Sequence, residues 1–298
     1  MSEQTKRVVF DFEIDFSNGG GIQGQHFRLD IAGNDISDRE LADYIVQDMR
    51  LLMVGEVRIL NKQIITEPHK RVPINTSTES AGALIDLSHT IRDGLVTYKG
   101  LPAPVICDYL SREESRSRYA PGTEFQIGKI EMVSNTGTYL DSPFHRFEGG
   151  ADLAALRLEN LANLDGIVVR ASSGDLAVGL EYFKNKEIRG RAVLVHTGWD
   201  KHWNTPAYYD NHPFLTAEAA DYLAKAGVRL VGIDSHNIDD TRPRTRPVHT
   251  ALLGAGILIV EHLTRLELLP DEGFKFSAVP PKFEGVGTFP VRAFAERI

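Results

Sequence analysis

Cysteine is all but absent. Cys107 stands alone among 298 residues, so no internal disulfide can form and no thiolate zinc site can be assembled. Long apolar runs are missing as well; none approaches the roughly 18 residues that a membrane-spanning helix needs. The first residues, Met1-Ser2-Glu3-Gln4-Thr5-Lys6-Arg7, lead into a charge-laced strand instead of an apolar signal core. Nor is there an excess of basic residues. The net charge is −8 and is spread along the chain, which excludes the electrostatic footprint of a nucleic-acid binder or of a protein held on an anionic membrane. There are no internal repeats and no low-complexity tracts. What is left is an ordinary globular composition, 42% hydrophobic and 25% charged, enough for a substantial core. These absences point to a cytoplasmic protein, with neither nucleic acid nor membrane involved.

Val8, Phe10, Phe12, Ile14 and Phe16 alternate with Val9, Asp11, Glu13 and Asp15, the period of a half-buried strand. Asn18-Gly19-Gly20-Gly21 turns the chain into a second alternating run at Phe27, Leu29 and Ile31. The glycine triplet lacks the Lys-Ser/Thr ending of a phosphate loop and is read as a turn. Ser37 and Glu40 form a capping box, and Leu41, Ile45, Met49 and Leu52 behind it predict a helix from Asp38 to Met53. Gly55 ends that helix, and Val57 to Ile65 reads as a third strand. Residues 1–72 therefore form a small α+β unit of ββαβ order with no catalytic constellation. Residues 73–82, rich in Ser, Thr and Pro, read as a linker.

Residues 83–298 alternate strands and helices, with polar residues gathered at strand ends, which is the pattern of an α/β domain. Strands are expected at Leu84–Leu87, Ile127–Val133, Ile167–Val169, Ala192–His196, Val228–Ile233 and Ile257–Val260. Helices are expected at Leu153–Leu161, at Ala217–Ala226 between the Thr216 cap and the Gly227 stop, and from His249 to Leu253. Residues 101–122 read as a long irregular loop or lid. The most polar strand-like stretch is Asn135-Thr136-Gly137-Thr138-Tyr139-Leu140-Asp141-Ser142-Pro143-Phe144-His145. If it is extended throughout, Asn135, Tyr139, Asp141 and His145 share one face. A polar row of that kind needs water, a metal or a substrate opposite it.

That stretch resembles the signature of the cyclase superfamily, which includes bacterial kynurenine formamidases and isatin hydrolases: His-x-Gly-Thr-His-x-Asp-x-Pro-x-His. Gly137, Thr138, Asp141, Pro143 and His145 match it. The resemblance runs over residues 83–298, through Ile85-Asp86-Leu87-Ser88-His89, Leu194-Val195-His196-Thr197-Gly198-Trp199-Asp200, Gly232-Ile233-Asp234 and Val260-Glu261-His262-Leu263. It implies a swivelling β/β/α domain, a homo-oligomer, and hydrolysis of a small amide, formamide or lactam by metal-activated water. By the same resemblance Asp141 and Glu261 each contribute to two metals and His249 completes one site. His145 serves as acid or base.

The departures carry as much information. Asn135 and Tyr139 stand where the family has the two histidines of the other metal site. An amide oxygen is a weak neutral ligand, and a phenol must lose a proton with a pKa of about 10 to bind well. Three outcomes stay open: the two-zinc arrangement is gone, a single Zn²⁺ or Mn²⁺ sits on Asp141, His249 and Glu261, or the pocket is metal-free. In the first two cases Tyr139 bonds the substrate or its oxyanion. In the last, Tyr139 and His145 do the polar work of a catalytically altered binding protein. Trp199 and Trp203 are read as core or as walls for an aromatic substrate, and His262 as structural. Asp234, Asp239 and Asp240 are read as loop caps. Arg242, Arg244 and Arg246 form either a carboxylate-binding loop or a solvated one.

Overall fold

The computed structural model describes residues 5–31, 33–48, 51, 53–67 and 83–298. Contacts divide the chain into two compact units, Met1–Ser77 and Thr78–Ile298. The expected linker at 73–82 lies outside the described residues.

In the first unit, β1 (Thr5–Phe16), β2 (Gly21–Ile31), α1 (Asp38–Asp48) and β3 (Val54–Glu67) follow the expected ββαβ order. The sheet runs β2-β1-β3, antiparallel throughout. Val8, Phe10, Phe12 and Ile14 are buried against Leu41 and Ile45 of α1, as their periodicities require. The Ser37–Glu40 capping box forms in both directions, Glu40 N–H to Ser37 Oγ at 3.2 Å and Ser37 N–H to Glu40 Oε2 at 2.9 Å. The helix is shorter than expected and the third strand longer. Phe16 pairs with Val54, so the ladder claims the residues just before Gly55, and Met53 turns the chain at φ 58°. Twelve residues of β1 offer backbone partners, and filling them outweighs one more turn of helix.

The second unit is built on a nine-stranded sheet. Its members are β4 (Leu84–Asp86), β7 (Tyr139–Asp141), β8 (Leu164–Arg170), β10 (Ala192–His196), β12 (Leu230–Ile233), β13 (Leu258–Glu261), β14 (Phe274–Ser277), β15 (Thr288–Pro290) and β16 (Phe294–Arg297), in the order β15-β7-β13-β12-β10-β8-β14-β16-β4. Two short ribbons pair β5 (Val105–Leu110) with β6 (Ile127–Glu131) and β9 (Ala177–Val178) with β11 (Phe214–Leu215). The helices are α2 (Arg112–Arg118), α3 (Ala217–Ala226) and α4 (Pro247–Gly254).

Strands β8, β10, β12 and β13 are parallel and buried on both faces, which is why they read as continuous apolar runs. Alternation sorts their side chains. Val193, Val195, Val231, Ile233 and Ile259 face α3 and α4, where they meet Leu223, Leu252 and Leu253. Leu194, Leu230, Leu258 and Val260 face the opposite way into a second core with Leu87, Leu161 and Phe276. Helix α3 has its expected bounds: Thr216 Oγ accepts from Ala219 N–H at 3.2 Å, and Gly227 stops it at φ 74°.

Two expectations are corrected. The 101–122 segment is not a loop throughout, since it contains the whole of strand β5 and the capped helix α2. Ser111 and Glu114 form a capping box legible in the sequence, whereas the exposed side chains of β5 show no alternation to read. The helix expected at Leu153–Leu161 is a set of turns with only Leu158–Asn160 in 3₁₀ geometry. Leu153 and Leu161 are nonetheless buried, so burial without helical hydrogen bonding produced the misleading spacing.

Candidate active site

Strand register brings the site together. β7 is antiparallel to β13 on one side and to β15 on the other, with Tyr139 opposite Glu261 and Asp141 opposite Thr288. Directly opposed residues hold their Cβ atoms roughly 4.5–5.5 Å apart, and the side chains meet. Tyr139 O–H donates to Glu261 Oε2 at 2.5 Å, and the Thr288 hydroxyl donates to Asp141 Oδ1.

Tyr139 and Asp141 share a face as expected, but the extended row of four does not form. Gly137 takes φ 69° with Ile91 packed where a Cβ would stand, and Pro143–His145 is a 3₁₀ turn. Proline has no N–H with which to continue the ladder. Asn135 and His145 therefore reach the same cavity from bends on either side of a three-residue strand.

His249 comes from the first turn of α4. The Asp239 carboxylate accepts from the backbone N–H groups of Val248 (2.7 Å) and His249 (3.1 Å) and holds the His249 Nδ1 at 2.6 Å. A negative charge at a helix N-terminus is favourable in itself. Here it also fixes the ring, leaving Nε2 at 3.6 Å from Asp141 Oδ2 and 3.8 Å from Glu261 Oε1. On the other side of Asp141, His145 Nδ1 lies 2.8 Å from Thr288 Oγ. As a carboxylate Asp141 can only accept, so the threonine proton points to it and His145 must donate from Nδ1. The imidazole Nε2 is then left as a base. One ligand atom each from Asp141, His145 and His249 falls within 4.8 Å of the others.

The cavity is about 200 Å³ and is lined by Asn135, Tyr139, His145, His249 and Glu261 together with Tyr98. Asp141 is fully buried beside it. Burial alone pushes the His249 imidazole down, but the nearby Asp141 carboxylate, the hydrogen bond to Asp239 and the charge of Glu261 outweigh it and raise the pKa to about 10. Burial, and then the charge of Asp141, push Glu261 up, against the pull of His249. The Tyr139 and Tyr98 phenols are pushed well above their ordinary value, first by burial and then by Glu261. The Tyr139 hydroxyl is therefore neutral here and donates to Glu261.

The donor set around Asp141 fits a cation. Asp141 Oδ2 is buried without a hydrogen-bond partner, an arrangement that costs several kcal/mol unless a positive charge answers it. His249 Nε2 lies 3.6 Å from it and 3.8 Å from Glu261 Oε1, each slightly wider than the roughly 3.4 Å between neighbouring ligands of a tetrahedral zinc, while Glu261 Oε1 also accepts from Ile238 N–H at 2.7 Å. The other oxygen of Glu261 is differently placed. Its Oε2 accepts from Tyr139 at 2.5 Å, Tyr98 at 3.2 Å and Asn237 at 3.3 Å. Neutral donors occupy the side on which the resemblance puts a second metal.

The sequence reading missed Thr288, Tyr98 and Asn237, and took Asp239 only as a loop cap. Asp239 does cap, and it also orients His249. Thr288 is brought in by the register of β15, for which the sequence offers no signal. Asp234 holds the turn after β10 by accepting from Thr197 and Gly198 N–H. Trp203 stacks on His89, ring centroids 4.0 Å apart, and packs edge-on to Tyr208 at 5.1 Å. His262 is fully buried with Nδ1 at 2.8 Å from Tyr208 OH.

The sequence pattern of the family described as putative cyclase matches residues 85–240. The chain is 29% identical over 214 residues to a kynurenine formamidase of Bacillus cytotoxicus, a match spanning 72% of this chain and 97% of the relative. A kynurenine formamidase of Erythrobacter litoralis is 27% identical over 70% of this chain and 90% of its own length. A solved structure described as a potential metal-dependent hydrolase with cyclase activity superposes with a TM-score of 0.61 at 26% identity, covering 73% of this chain and 99% of that one. Isatin hydrolase A from Labrenzia aggregata, at 22% identity and a TM-score of 0.61 over 72% and 93%, shares the fold. With more than half of its length inside the family pattern, the chain belongs to the cyclase family.

Proposed function

We propose that this protein is a metal-dependent hydrolase of a small amide, formamide or lactam, holding a single divalent ion, Zn²⁺ or Mn²⁺, on Asp141, His249 and Glu261. The observation that carries the reading is the buried, unpartnered Asp141 Oδ2 facing His249 Nε2. The named activities of the relatives, kynurenine formamidase and isatin hydrolase, support a carbon–nitrogen bond as the target.

An ion bound there supplies Lewis acidity, lowering the pKa of water and polarising the carbonyl under attack. The chain's own groups do the rest. His145, with its proton on Nδ1 given to Thr288, takes a proton from the attacking water at Nε2 and returns it to the departing nitrogen. Thr288 holds that tautomer by bridging His145 to Asp141. Asp239 does the same for His249. Tyr139, Tyr98 and Asn237 fix the orientation of Glu261, while Asn135 adds a neutral amide to the cavity wall. The exposed apolar side chains of the β5–β6 ribbon, Val105, Tyr109 and Ile130 among them, support the expected homo-oligomer.

Metal content of the purified protein, measured with and without Asp141→Ala, tests the proposal. The expected result is one equivalent per chain, lost in the variant together with formanilide hydrolysis. Wild-type protein that takes up neither Mn²⁺ nor Zn²⁺ would overturn it in favour of a metal-free binding protein on the same fold.

A further inference from the structure

We propose that Arg146 and Arg246 form an anionic subsite in the wall of the cavity and select substrates bearing a carboxylate at a distance from the bond that is cleaved. The inference rests on the hydrolase reading for its role in substrate choice, but the subsite itself is a matter of binding.

Both arginines line the cavity that contains His145, His249 and Glu261. They come from separate elements, Arg146 from the turn after Pro143–His145 and Arg246 from the residue that precedes α4. Thr250 ties them together: Arg146 Nε donates to Thr250 Oγ at 3.2 Å, and that hydroxyl donates to the Arg246 carbonyl at 2.6 Å. Arg246 gives one terminal nitrogen to the Thr245 carbonyl at 2.8 Å. These contacts are all to neutral groups. The ion pairs among the described residues include Arg242 with Asp240 and Arg170 with Asp271, and they leave Arg146 and Arg246 without a carboxylate. The Arg146 guanidinium also lies over the Phe147 ring, 5.6 Å from its centroid, again a neutral group.

An arginine paired with acid on a protein surface is ordinary. Two that face one cavity and have neutral anchors present their remaining N–H groups to whatever enters. The inner end of the cavity has its own balance: Asp141 and Glu261 would be answered by a divalent ion, and Asp239 is already committed to His249 and the helix N-terminus. The positive charge at the wall is thus not cancelled from within. A guanidinium presents a planar fork that matches a carboxylate better than it matches a neutral carbonyl. Charge-assisted hydrogen bonds of this kind shift affinity by roughly tenfold or more.

The test compares ligands that differ in charge alone. Benzoate and benzamide are titrated calorimetrically into the full chain incubated with Zn²⁺, for wild type, Arg146→Gln, Arg246→Gln and the double variant. Wild type is expected to prefer benzoate by about tenfold or more. Each single variant should cut that preference several-fold, and the double variant should abolish it. Arg→Lys at either position, which keeps the charge but not the fork, should retain part of it. Equal binding of the two ligands by wild type, or a benzoate preference that survives the double variant, overturns the subsite. Hydrolysis of formanilide and 4-formamidobenzoate is followed on the same preparations. Turnover of neither removes the hydrolase reading, while the titrations still decide whether the arginines hold an anion. With turnover, the ratio of kcat/KM for the anionic over the neutral substrate should fall by about tenfold in the double variant.

Discussion

Replacing Asp239 by asparagine separates two roles that one carboxylate now fills. Asp239 accepts three hydrogen bonds, from the N–H groups of Val248 and His249 and from His249 Nδ1 at 2.6 Å. Asparagine keeps one accepting oxygen and places an NH₂ group where the second stood. If that oxygen stays with the helix, the amide nitrogen meets Nδ1 as a donor. The imidazole must then move its proton to Nε2, the atom that faces Asp141 and Glu261. A protonated Nε2 cannot ligate. Loss of such a supporting carboxylate lowers metal affinity by roughly 10–100-fold, or about 1.4–2.7 kcal/mol. Loss of the charge at the helix N-terminus adds a separate cost to stability of about 0.3–1 kcal/mol. Chelator-competition titration with Zn²⁺ measures the first effect, and the denaturant midpoint of metal-free protein measures the second. A variant that loses stability but binds zinc within about twofold of wild type would show that Asp239 is only a helix cap, and the argument for His249 as a ligand would lose its support.

Two further outcomes follow from the same geometry. Thr288→Val removes the hydroxyl that joins His145 to Asp141 and should lower kcat by about 10²-fold or more, while Thr288→Ser, which restores the hydroxyl, should recover most of it; equal rates for the two variants would refute the bridging role. His89 tests the buried imidazoles: burial holds its pKa at about 4 against an ordinary 6.5. Between those values the unfolded chain binds a proton that the folded chain does not, so its contribution to stability is complete above pH 6.5 and is lost as pH falls toward 4. Wild type should therefore lose up to about 1.4 kcal/mol per pH unit more than His89→Gln across that window, and parallel denaturation curves would refute the assignment.

How much of this was legible in the sequence depended on whether the signal was local. Helix α3 carries its own start and stop in Thr216 and Gly227, and the buried parallel strands announce themselves as apolar runs, so those elements fall where their residues put them. The end of α1 did not, because the pairing of Val54 with Phe16, nearly forty residues earlier, decided it. The site divides along the same line. Asn135, Tyr139, Asp141, His145, His249 and Glu261 could be named from motif and order, but their partners could not. Thr288 reaches Asp141 across a strand pair, and Tyr98 reaches Glu261 from a segment without periodicity.

That division changes what the two departures from the family motif mean. Taken by themselves, Asn135 and Tyr139 read as ligands lost. In the folded chain Tyr139 donates to one oxygen of Glu261, joined there by Asn237 and by Tyr98, whose single proton also has the His236 carbonyl at 2.9 Å; neither of these belongs to a metal motif. A carboxylate oxygen ringed by neutral hydrogen-bond donors has its charge partly answered without a cation. The opposite face of the same cluster has no such hydrogen bonds: Asp141 Oδ2 is equally buried and faces only the His249 imidazole, 3.6 Å away. If loss of the two histidines had simply abandoned the metal chemistry, both faces would be expected to have acquired donors, because an unanswered buried charge is costly wherever it lies. Only one did. The asymmetry between Glu261 Oε2 and Asp141 Oδ2 is therefore the reason to expect one ion here, where the family signature suggests two.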